Sequence, residues 1–290
     1  MPLVTVPSAI HNVCVAAICY LGPEGTFSHI LARQRFGVKA EFVPSPTIEG
    51  VFDHVLQVPG ALGLVPIENS SGGTVYDTAD LLIRHAGSVF IREELALDIR
   101  IALLGRTGGA LTTVYSHFTQ IKHHAAWLKS RHPQARLRAV VSTAVAAQKA
   151  VASRNAAALA SPGVAEIYPL RILEMPEAGG VANQTHFFVI GREPLPSAVG
   201  RRPKTALVAA LPNECGSLHD FLGPFARQKV SLSRIVSRPV PGKPRTYVFF
   251  IEIEGGPSGL PVAKALARAA QKAESLVNLG TYPARRRYKS

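Results

Sequence analysis

The chain has 290 residues, of which 47% are hydrophobic and 7% aromatic, a composition typical of a globular protein long enough for about two domains. Its net charge of +13 suggests polyanions or small acidic ligands as partners. The basic residues are scattered and no aromatic-interleaved basic motif occurs, so nucleic-acid binding is a weak alternative that rests on net charge alone. The one dense basic run, residues 285–290, is predicted to be a solvated tail.

The cysteines and the N-terminal segment bear on the compartment. Cys14 and Cys19 lie in an apolar, strand-like run and are predicted to be small core residues, while Cys215 stands apart and no CxxC pair occurs. The apolar stretch 13–21 is too short to span a bilayer and has neither a basic region before it nor a small-residue cleavage site. We therefore expect a cytoplasmic protein with no membrane anchor.

Strand-like and helix-like runs alternate through the first 190 residues. A turn at Gly22-Pro23, a helix capped by Thr26 or Ser28 and a second helix capped by Ser142 or Thr143 illustrate the pattern. This order predicts an α/β architecture with mainly parallel sheets. The predicted strands are 16–22, 61–70, 112–116, 138–142 and 156–161, a longer strand pair spans 89–105, and the helices are 25–37, 74–85, 120–132 and 143–153.

The pattern changes after a segment rich in Pro and Arg at 192–204, which is predicted to be a linker. Beyond it the order strand, helix, strand, strand, helix, strand predicts a ferredoxin-like βαββαβ domain. The runs are 205–212, 217–228, 230–240, 245–255, 262–276 and 277–282.

Five polar clusters lie at the boundaries of the predicted strands. In α/β sheets, loops and helix N-termini converge outside the carboxyl ends of strands and bind ligands there. Each cluster alone is explained by helix capping, but the five together predict one cleft for a small acidic molecule, with hydroxyl groups available as proton donors. The clusters are GPEGT (22–26), PIENS (66–70), SHFTQ (116–120), STA (142–144) and NQTHF (183–187).

Familiar cofactor and hydrolase motifs do not occur. The sequence contains no P-loop, GxGxxG, HExxH or GxSxG pattern. His123 and His124 are adjacent on a predicted helix, where side chains point about 100° apart, which is poor geometry for one metal ion. No metal or organic cofactor is therefore expected.

Six segments follow one another along nearly the whole chain: GPEGTFSH, VPIENSSGGTVYDTADLL, VYSH, STAVAAQKA, NQTHFFVIG and LGTYP. In this order they resemble the prephenate dehydratase family. The resemblance implies a two-lobed, periplasmic-binding-protein-like catalytic domain with its active site between two α/β subdomains, followed by an amino-acid-sensing ACT domain. It implies conversion of prephenate to phenylpyruvate, water and carbon dioxide in phenylalanine biosynthesis. Losing the ring carboxylate and ring hydroxyl makes the ring aromatic, so the enzyme needs mainly a proton donor and a shaped pocket.

The resemblance also implies residue roles. Thr185 stands at the family's essential threonine and would donate a proton to the leaving hydroxyl, alone or within a relay; Glu68, Asn69 and Ser70 would orient the substrate or complete that relay. Substrate binding is assigned to Gly22, Gly25, Thr26, Ser142, Thr143, Asn183, His186 and Phe187. Binding of an amino-acid effector, L-phenylalanine, is assigned to Asn213, Gly216, Ser217, Leu218, Ser237, Arg238 and Pro239.

The implied organisation is a catalytic domain at 1–192, a linker at 193–203, an ACT domain at 204–284 and a basic tail at 285–290. Its expected partners are prephenate and the effector, with no nucleic acid and no membrane. A homodimer or homotetramer through the ACT domains is expected.

Departures from the family pattern leave alternatives open. The family's TRF reads THF here, so His186 replaces an arginine; if that arginine gripped substrate, weaker affinity, pH-dependent activity or a modified substrate would follow. SHPQ reads SHFT, and Arg100 falls where a histidine is usual. In the sensor, Val236 and Ser217 replace the Glu of ESRP and the Ala of GAL, which weakens the case for tight feedback. A divergent enzyme acting on arogenate, and a non-catalytic amino-acid sensor, remain as alternatives.

Overall fold

The computed structural model describes residues 17–106, 110–176, 183–195, 203–240, 242–243, 245–284 and 286–290. Cys14, part of the stretch 13–21 and part of the predicted linker lie outside these residues. Within the described part of the chain, no helix is both long enough and apolar enough to cross a membrane.

Three β-sheets and eight α-helices make up this part of the protein. The strands are β1 (Ile18–Leu21), β2 (Phe42–Ser45), β3 (Leu62–Asn69), β4 (Gly73–Thr74), β5 (Phe90–Asp98), β6 (Ala102–Gly105), β7 (Thr113–His117), β8 (Arg136–Val140), β9 (Ala156–Ala160), β10 (Arg171–Glu174), β11 (Gln184–Gly191), β12 (Pro203–Ala210), β13 (Leu232–Pro239), β14 (Tyr247–Glu254), β15 (Ser275–Pro283) and β16 (Arg286–Lys289). The helices are α1 (Phe27–Phe36), α2 (Ile48–Gln57), α3 (Tyr76–Arg84), α4 (Phe118–His123), α5 (Ala125–Arg131), α6 (Thr143–Val151), α7 (Ser217–Arg227) and α8 (Leu260–Ala270), with a 3-10 helix at Pro162–Glu166.

The first lobe is built on a sheet of order β16-β5-β11-β3-β1-β2, with β4 added beside β3. Strands β1, β2 and β3 are parallel, as βαβ units require, but β11 runs antiparallel to both β3 and β5. Five of the seven strands, β1, β2, β3, β5 and β16, therefore run in one direction, so the prediction of mainly parallel strands holds for most of this sheet and fails for β4 and β11. The reason is topological: β11 returns from the second lobe and enters the sheet from the opposite end.

The second lobe has a sheet of order β10-β6-β9-β7-β8, again of mixed direction. Two strands lie within 89–105 as predicted, but they do not pair with each other, since β5 belongs to the first sheet and β6 to the second. The chain thus crosses between lobes after β5 and returns before β11. The two crossings are joined where the Ile99 N–H donates to the Asn183 carbonyl at 2.8 Å.

The C-terminal domain has the predicted ferredoxin-like arrangement, with antiparallel order β13-β14-β12-β15. Helices α7 and α8 cover one face, where Phe221 and Phe225 are fully buried. The other face packs on the first lobe, and the rings of Phe250 and Tyr282 lie 6.2 and 5.9 Å from that of Phe188. The sheet of the first lobe and the C-terminal sheet therefore share one apolar core.

Two further predictions are corrected. The basic tail is not simply solvated, because β16 pairs in parallel with β5, and the Lys289 carbonyl accepts a hydrogen bond from Gln34 at 2.8 Å. The single helix predicted over 120–132 is divided at His124 into α4 and α5. The unit β2–α2 was not predicted, although Thr47 caps α2 by accepting from the Gly50 N–H.

Candidate active site

A cavity of about 680 Å³ lies between the two lobes. All five polar clusters found in the sequence contribute to it, because the strands that precede or carry them end at the cleft. Its lining is Leu21, Gly22, Pro23, Thr26, Phe27, Ser28, Pro46, Pro66, Asn69, Gly72, Ile99, His117, Thr119, Gln120, Val141, Ser142, Thr143, Asn183, Thr185 and Phe187.

Asn69 organises the floor of this cavity. Its side-chain oxygen accepts hydrogen bonds from the backbone N–H groups of Ser71 at 2.9 Å and Gly72 at 2.8 Å. These two donors fix the orientation of the amide, so its nitrogen must point the other way. That nitrogen donates to Thr185 Oγ1 at 2.8 Å and to Asn183 Oδ1 at 2.8 Å.

These hydrogen bonds determine which neighbouring atoms are acceptors and which remain free to donate. Thr185 Oγ1 accepts from Asn69, so the hydroxyl proton is left to donate elsewhere, and Thr185 lines the cavity. Asn183 Oδ1 is likewise used as an acceptor, which leaves the Asn183 NH2 group as a donor at the same surface. The floor therefore presents proton donors to a ligand.

Two helix N-termini face the cavity and supply its positive potential. Thr26 caps α1 by accepting from the His29 N–H, and Ser142 caps α6 by accepting from the Val145 N–H. The first N–H groups of each helix, with the helix dipole, favour a carboxylate there. Of the described residues that line the cavity, none is Lys or Arg, so backbone and neutral polar groups would carry anion binding.

Gly25 and His29 shape the turn before α1. The Gly25 N–H donates to His29 Nδ1 at 3.1 Å, and burial lowers the pKa of His29, which favours the neutral ring that this acceptor role requires. Gly25 has φ +86°, and a Cβ there would lie 2.9 Å from the ring of Tyr168. His29 was not predicted as a site residue, although it closes the GPEGTFSH segment.

His117 was also missed, although it belongs to the SHFTQ cluster. Its Nδ1 accepts from the Thr119 N–H at 3.3 Å, which leaves Nε2 as the protonated nitrogen of a neutral ring. The ring lines the cavity and adds one more donor to it.

The structure brings most predicted substrate and catalytic residues together but leaves four outside the lining. The Ser70 hydroxyl accepts from the Gln184 N–H at 2.9 Å and so links the end of β3 to the start of β11. Gly25 lies behind the turn. Glu68 and His186 point to the opposite face of the sheet, where Glu68 pairs with Arg234 and His186 with Glu94. We therefore do not retain Glu68 and His186 as groups that touch substrate.

The predicted effector residues occupy one end of the C-terminal sheet. Asn213 to Leu218 follow β12, and Ser237 to Pro239 end β13. Ala210 and Arg238 are both in register with Val248 of the intervening β14, so the two segments lie at the same end of the sheet. Arg238 also binds the first lobe, with Nη2 at 2.8 Å from Asp80 Oδ2. Whether these segments bind an effector stays a prediction.

The fold and the site together define a class: a two-lobed α/β enzyme with a ligand cleft between its lobes and a C-terminal ferredoxin-like domain packed against the first lobe. The family model described as prephenate dehydratase matches residues 18–195. A bifunctional chorismate mutase/prephenate dehydratase of Pseudomonas aeruginosa is 33% identical over 268 residues, covering 92% of this chain and 73% of the relative. The chain belongs to the prephenate dehydratase family, which confirms the resemblance read from its motifs and makes it an enzyme of the lyase class.

Solved structures agree with this assignment. The prephenate dehydratase of Arthrobacter aurescens, determined in complex with L-Phe, has a TM-score of 0.81 and 28% identity, covering 92% of this chain and 90% of that one. A protein described as a novel type of quorum quenching acylase has a TM-score of 0.82 and 25% identity, covering 92% of this chain and 97% of that one. Because one fold carries both descriptions, the reaction must be argued from the site.

Proposed function

We propose that the protein converts prephenate to phenylpyruvate, water and carbon dioxide in the cleft between its lobes. The observation that carries this proposal is the hydrogen bond from Asn69 to Thr185 Oγ1, which leaves the threonine hydroxyl as a proton donor facing the cavity. Prephenate loses its ring carboxylate as CO2, and the electron pair of the broken C–C bond enters the ring. The C–O bond to the ring hydroxyl then breaks, and that hydroxyl leaves as water with a proton from Thr185, which regains its proton from solvent before the next turnover.

Carboxylate binding is assigned to the polar rim. The N-termini of α1 and α6, with Thr26, Ser142 and Thr143, would hold one carboxylate, and the Asn183 NH2 group would hold the other. Gly22 and Phe187 would shape the pocket. Apolar side chains in the lining, such as Leu21, Phe27 and Phe187, would limit the water around the reacting atoms, which favours proton transfer from a weak acid such as threonine.

The C-terminal domain is proposed to be an ACT domain that binds an amino-acid effector. Support comes from its ferredoxin-like topology, from the two predicted segments at one sheet end, and from a structural relative determined with L-Phe. We propose L-phenylalanine as the effector, a homodimer or homotetramer as the assembly, and the cytoplasm as the compartment of a biosynthetic role.

The test is turnover of prephenate, followed as phenylpyruvate, by the wild type, Thr185→Ser and Thr185→Val. The serine variant keeps a hydroxyl and should retain measurable turnover, whereas the isosteric valine variant should lose on the order of a thousandfold in kcat. Arogenate is assayed beside prephenate, and faster turnover of arogenate would replace the proposed substrate. Equal activity of the valine variant and the wild type would remove Thr185 from the chemistry.

A further inference from the structure

A layer of charged side chains is buried between the catalytic sheet and the C-terminal sheet. The side chains of Glu94 and Glu252 are fully buried, and those of Lys204 and Arg234 are 5% and 7% exposed. Charged groups buried this deeply are costly unless they are paired, so their contacts define the layer. We call this set the ionic layer: Glu68, Glu94, His186, Lys204, Arg234, Glu252 and Tyr282.

Contacts run through the layer without a break. On one side, His186 Nδ1 lies 3.1 Å from Glu94 Oε1, and Lys204 Nζ lies 2.8 Å from Glu94 Oε2. Lys204 continues to Glu252 Oε1 at 3.4 Å.

On the other side, Arg234 donates to Glu68 Oε2 through Nε at 3.0 Å and Nη2 at 2.7 Å, and its Nη1 pairs with Glu252. The Tyr282 hydroxyl donates to Glu252 Oε1 at 2.7 Å. Four strands of the C-terminal sheet (β12, β13, β14 and β15) and three of the first-lobe sheet (β3, β5 and β11) are joined in this way.

The charge balance of the layer depends on His186. Three carboxylates face two permanent cations, so the layer carries one net negative charge when His186 is neutral and none when it is protonated. Burial raises the pKa of Glu94, but the His186 hydrogen bond and Lys204 outweigh burial and lower it to about 2. Glu94 is therefore a carboxylate that contacts both His186 and Lys204.

The layer is attached to the catalytic floor through the chain itself. Glu68 precedes Asn69, and His186 follows Thr185; successive side chains of a strand point to opposite faces. The four residues also face one another across the strands, because Thr185 is in register with Asn69 and His186 with Glu68. A shift of the backbone at Glu68 or His186 would therefore be passed on to the adjacent Asn69 and Thr185.

We propose that His186 in its protonated form and Arg234 of the C-terminal domain are positioning residues for the cleft, holding the ends of β11 and β3 so that Asn69 and Thr185 keep their geometry. This inference rests on the proposed function. On this inference the C-terminal domain helps to hold Asn69 and Thr185 in position. Turnover then depends on the charge of His186, a residue that does not touch substrate.

The groups that face His186 from the elements around it are Glu94 on β5, Glu68 on β3, Lys204 on β12, Arg234 on β13, Glu252 on β14 and Tyr282 on β15. Histidine side chains in general lose their charge as the pH rises through neutrality, whereas arginine stays charged. Replacing His186 by arginine therefore fixes the charge of the layer at zero.

The experiment compares kcat and KM of the wild type, His186→Arg and His186→Gln between about pH 5 and pH 8.5. The wild type should lose kcat on the alkaline side, His186→Arg should keep it, and His186→Gln should be low throughout, by on the order of tenfold to a hundredfold. KM should change much less than kcat. Identical pH profiles for the wild type and His186→Arg would overturn the proposal.

Arg234→Gln and Arg234→Lys test the other anchor, with Arg35→Gln as the matched control. Arg35 pairs with Glu93 on the opposite face of β5, with its Nε 2.6 Å from Glu93 Oε2, and lies outside the cavity lining. We expect Arg234→Gln to lose kcat on the order of tenfold or more, Arg234→Lys to recover part of it, and Arg35→Gln to lose only thermal stability. Loss of stability without loss of kcat in Arg234→Gln would leave that residue merely structural.

Failure of the proposed function is distinguishable from failure of this inference. If the wild type does not turn over prephenate, the function fails, and melting temperatures still test the layer. The melting temperature of His186→Arg minus that of the wild type should rise with pH, because an arginine keeps its charge over the whole range. A difference that does not change with pH contradicts the inference whatever the activity.

Discussion

Thr185 and His186 are neighbours in the sequence, yet they lie on opposite faces of β11 in two different chemical environments. On the cleft face, Thr185 belongs to a group of neutral donors and acceptors that line a cavity of about 680 Å³. On the rear face, His186 belongs to a layer of ions that satisfy one another behind the sheet. The cleft face offers hydrogen-bonding groups to a ligand, whereas the charged side chains of the rear face pair with one another.

The difference shows how a strand can couple binding to domain packing. The cleft face has donors left over after its internal hydrogen bonds are counted, and they are available to a ligand in the cavity. The rear face has charges that bind both domains together. The predictions below test whether the two faces differ in this way.

The largest effect is expected from reversing one hydrogen bond on the cleft face. Asn69→Asp replaces the amide donor with a carboxylate, which would accept the Thr185 proton and so remove it from the substrate. We expect kcat to fall by about a hundredfold or more, as is usual when one oriented donor is lost. Steady-state kinetics with prephenate provide the measurement.

The matched control for this change is Asn278→Asp in the C-terminal domain. Asn278 Oδ1 accepts from the Gly280 N–H at 2.8 Å, a role that a carboxylate preserves, and the residue is not part of the cleft. Its kcat should stay near that of the wild type. An equal loss in both variants would mean that the effect comes from added charge and not from the polarity of the floor.

On the rear face, Glu94→Gln should act on stability. Because the pKa of Glu94 is lowered to about 2 from a reference of 4.5, its charge stabilises the folded state above pH 4.5. That contribution is lost as the pH falls from about 4.5 to about 2. At neutral pH we expect a loss on the order of 3 kcal/mol in the free energy of unfolding, measured by denaturant titration.

Glu93→Gln is the control on the same strand. Its partner Arg35 is 20% exposed and Glu93 itself 11%, so this pair is better solvated than Glu94 and the loss in unfolding free energy should be smaller than for Glu94→Gln. The difference in unfolding free energy between Glu94→Gln and Glu93→Gln should become smaller as the pH approaches 3. A gap that stays constant with pH would show that Glu94 contributes through packing and not through charge.

The sequence predicted the cleft well because its signals are local. Polar residues after apolar runs marked the strand ends, and Thr26 and Ser142 marked helix starts, since capping depends on residues three positions apart. The ferredoxin-like order was predicted for the same reason. Mixed strand direction, the strand β16 and the break at His124 depend on long-range pairing, which local patterns do not contain.

Glu68 and His186 show where local reasoning stopped. Alternation along a strand already implies that Glu68 and Asn69 cannot face the same way, nor can Thr185 and His186. It does not say which member of each pair faces the ligand. That choice is made by partners far away in sequence: Arg234 is 166 residues from Glu68.

A smaller effect is expected at Gly25, which links the cleft turn to the second lobe. Its φ of +86° disfavours other residues, and an added Cβ would meet Tyr168 at 2.9 Å. The Tyr168 hydroxyl donates to the Glu24 carbonyl across the lobes at 3.1 Å. Gly25→Ala should cost about 1–2 kcal/mol in unfolding free energy from the backbone and raise KM by displacing the tyrosine.

Gly37 separates these two causes. It has a similar φ of +83°, lies at the far end of α1, and an added Cβ there would meet nothing within 4 Å. Gly37→Ala should show the backbone cost alone, with KM unchanged. If KM rises equally in both variants, the contact with Tyr168 does not hold the turn.

The smallest effect concerns Ser142, the cap of α6. Ser142→Ala removes the acceptor for the Val145 N–H, 3.1 Å away, and should cost about 1 kcal/mol in the free energy of unfolding. Fraying of the first turn also displaces the N–H groups assigned to a substrate carboxylate, so KM for prephenate should rise a few-fold with little change in kcat.

Ser161→Ala is the matched control. It removes a comparable cap, the acceptor for the Gly163 N–H at 3.2 Å, outside the cavity lining. Because both variants lose a cap but only one cap faces the cleft, a rise in KM restricted to Ser142→Ala would show that the α6 N-terminus binds substrate, and equal KM values would exclude it.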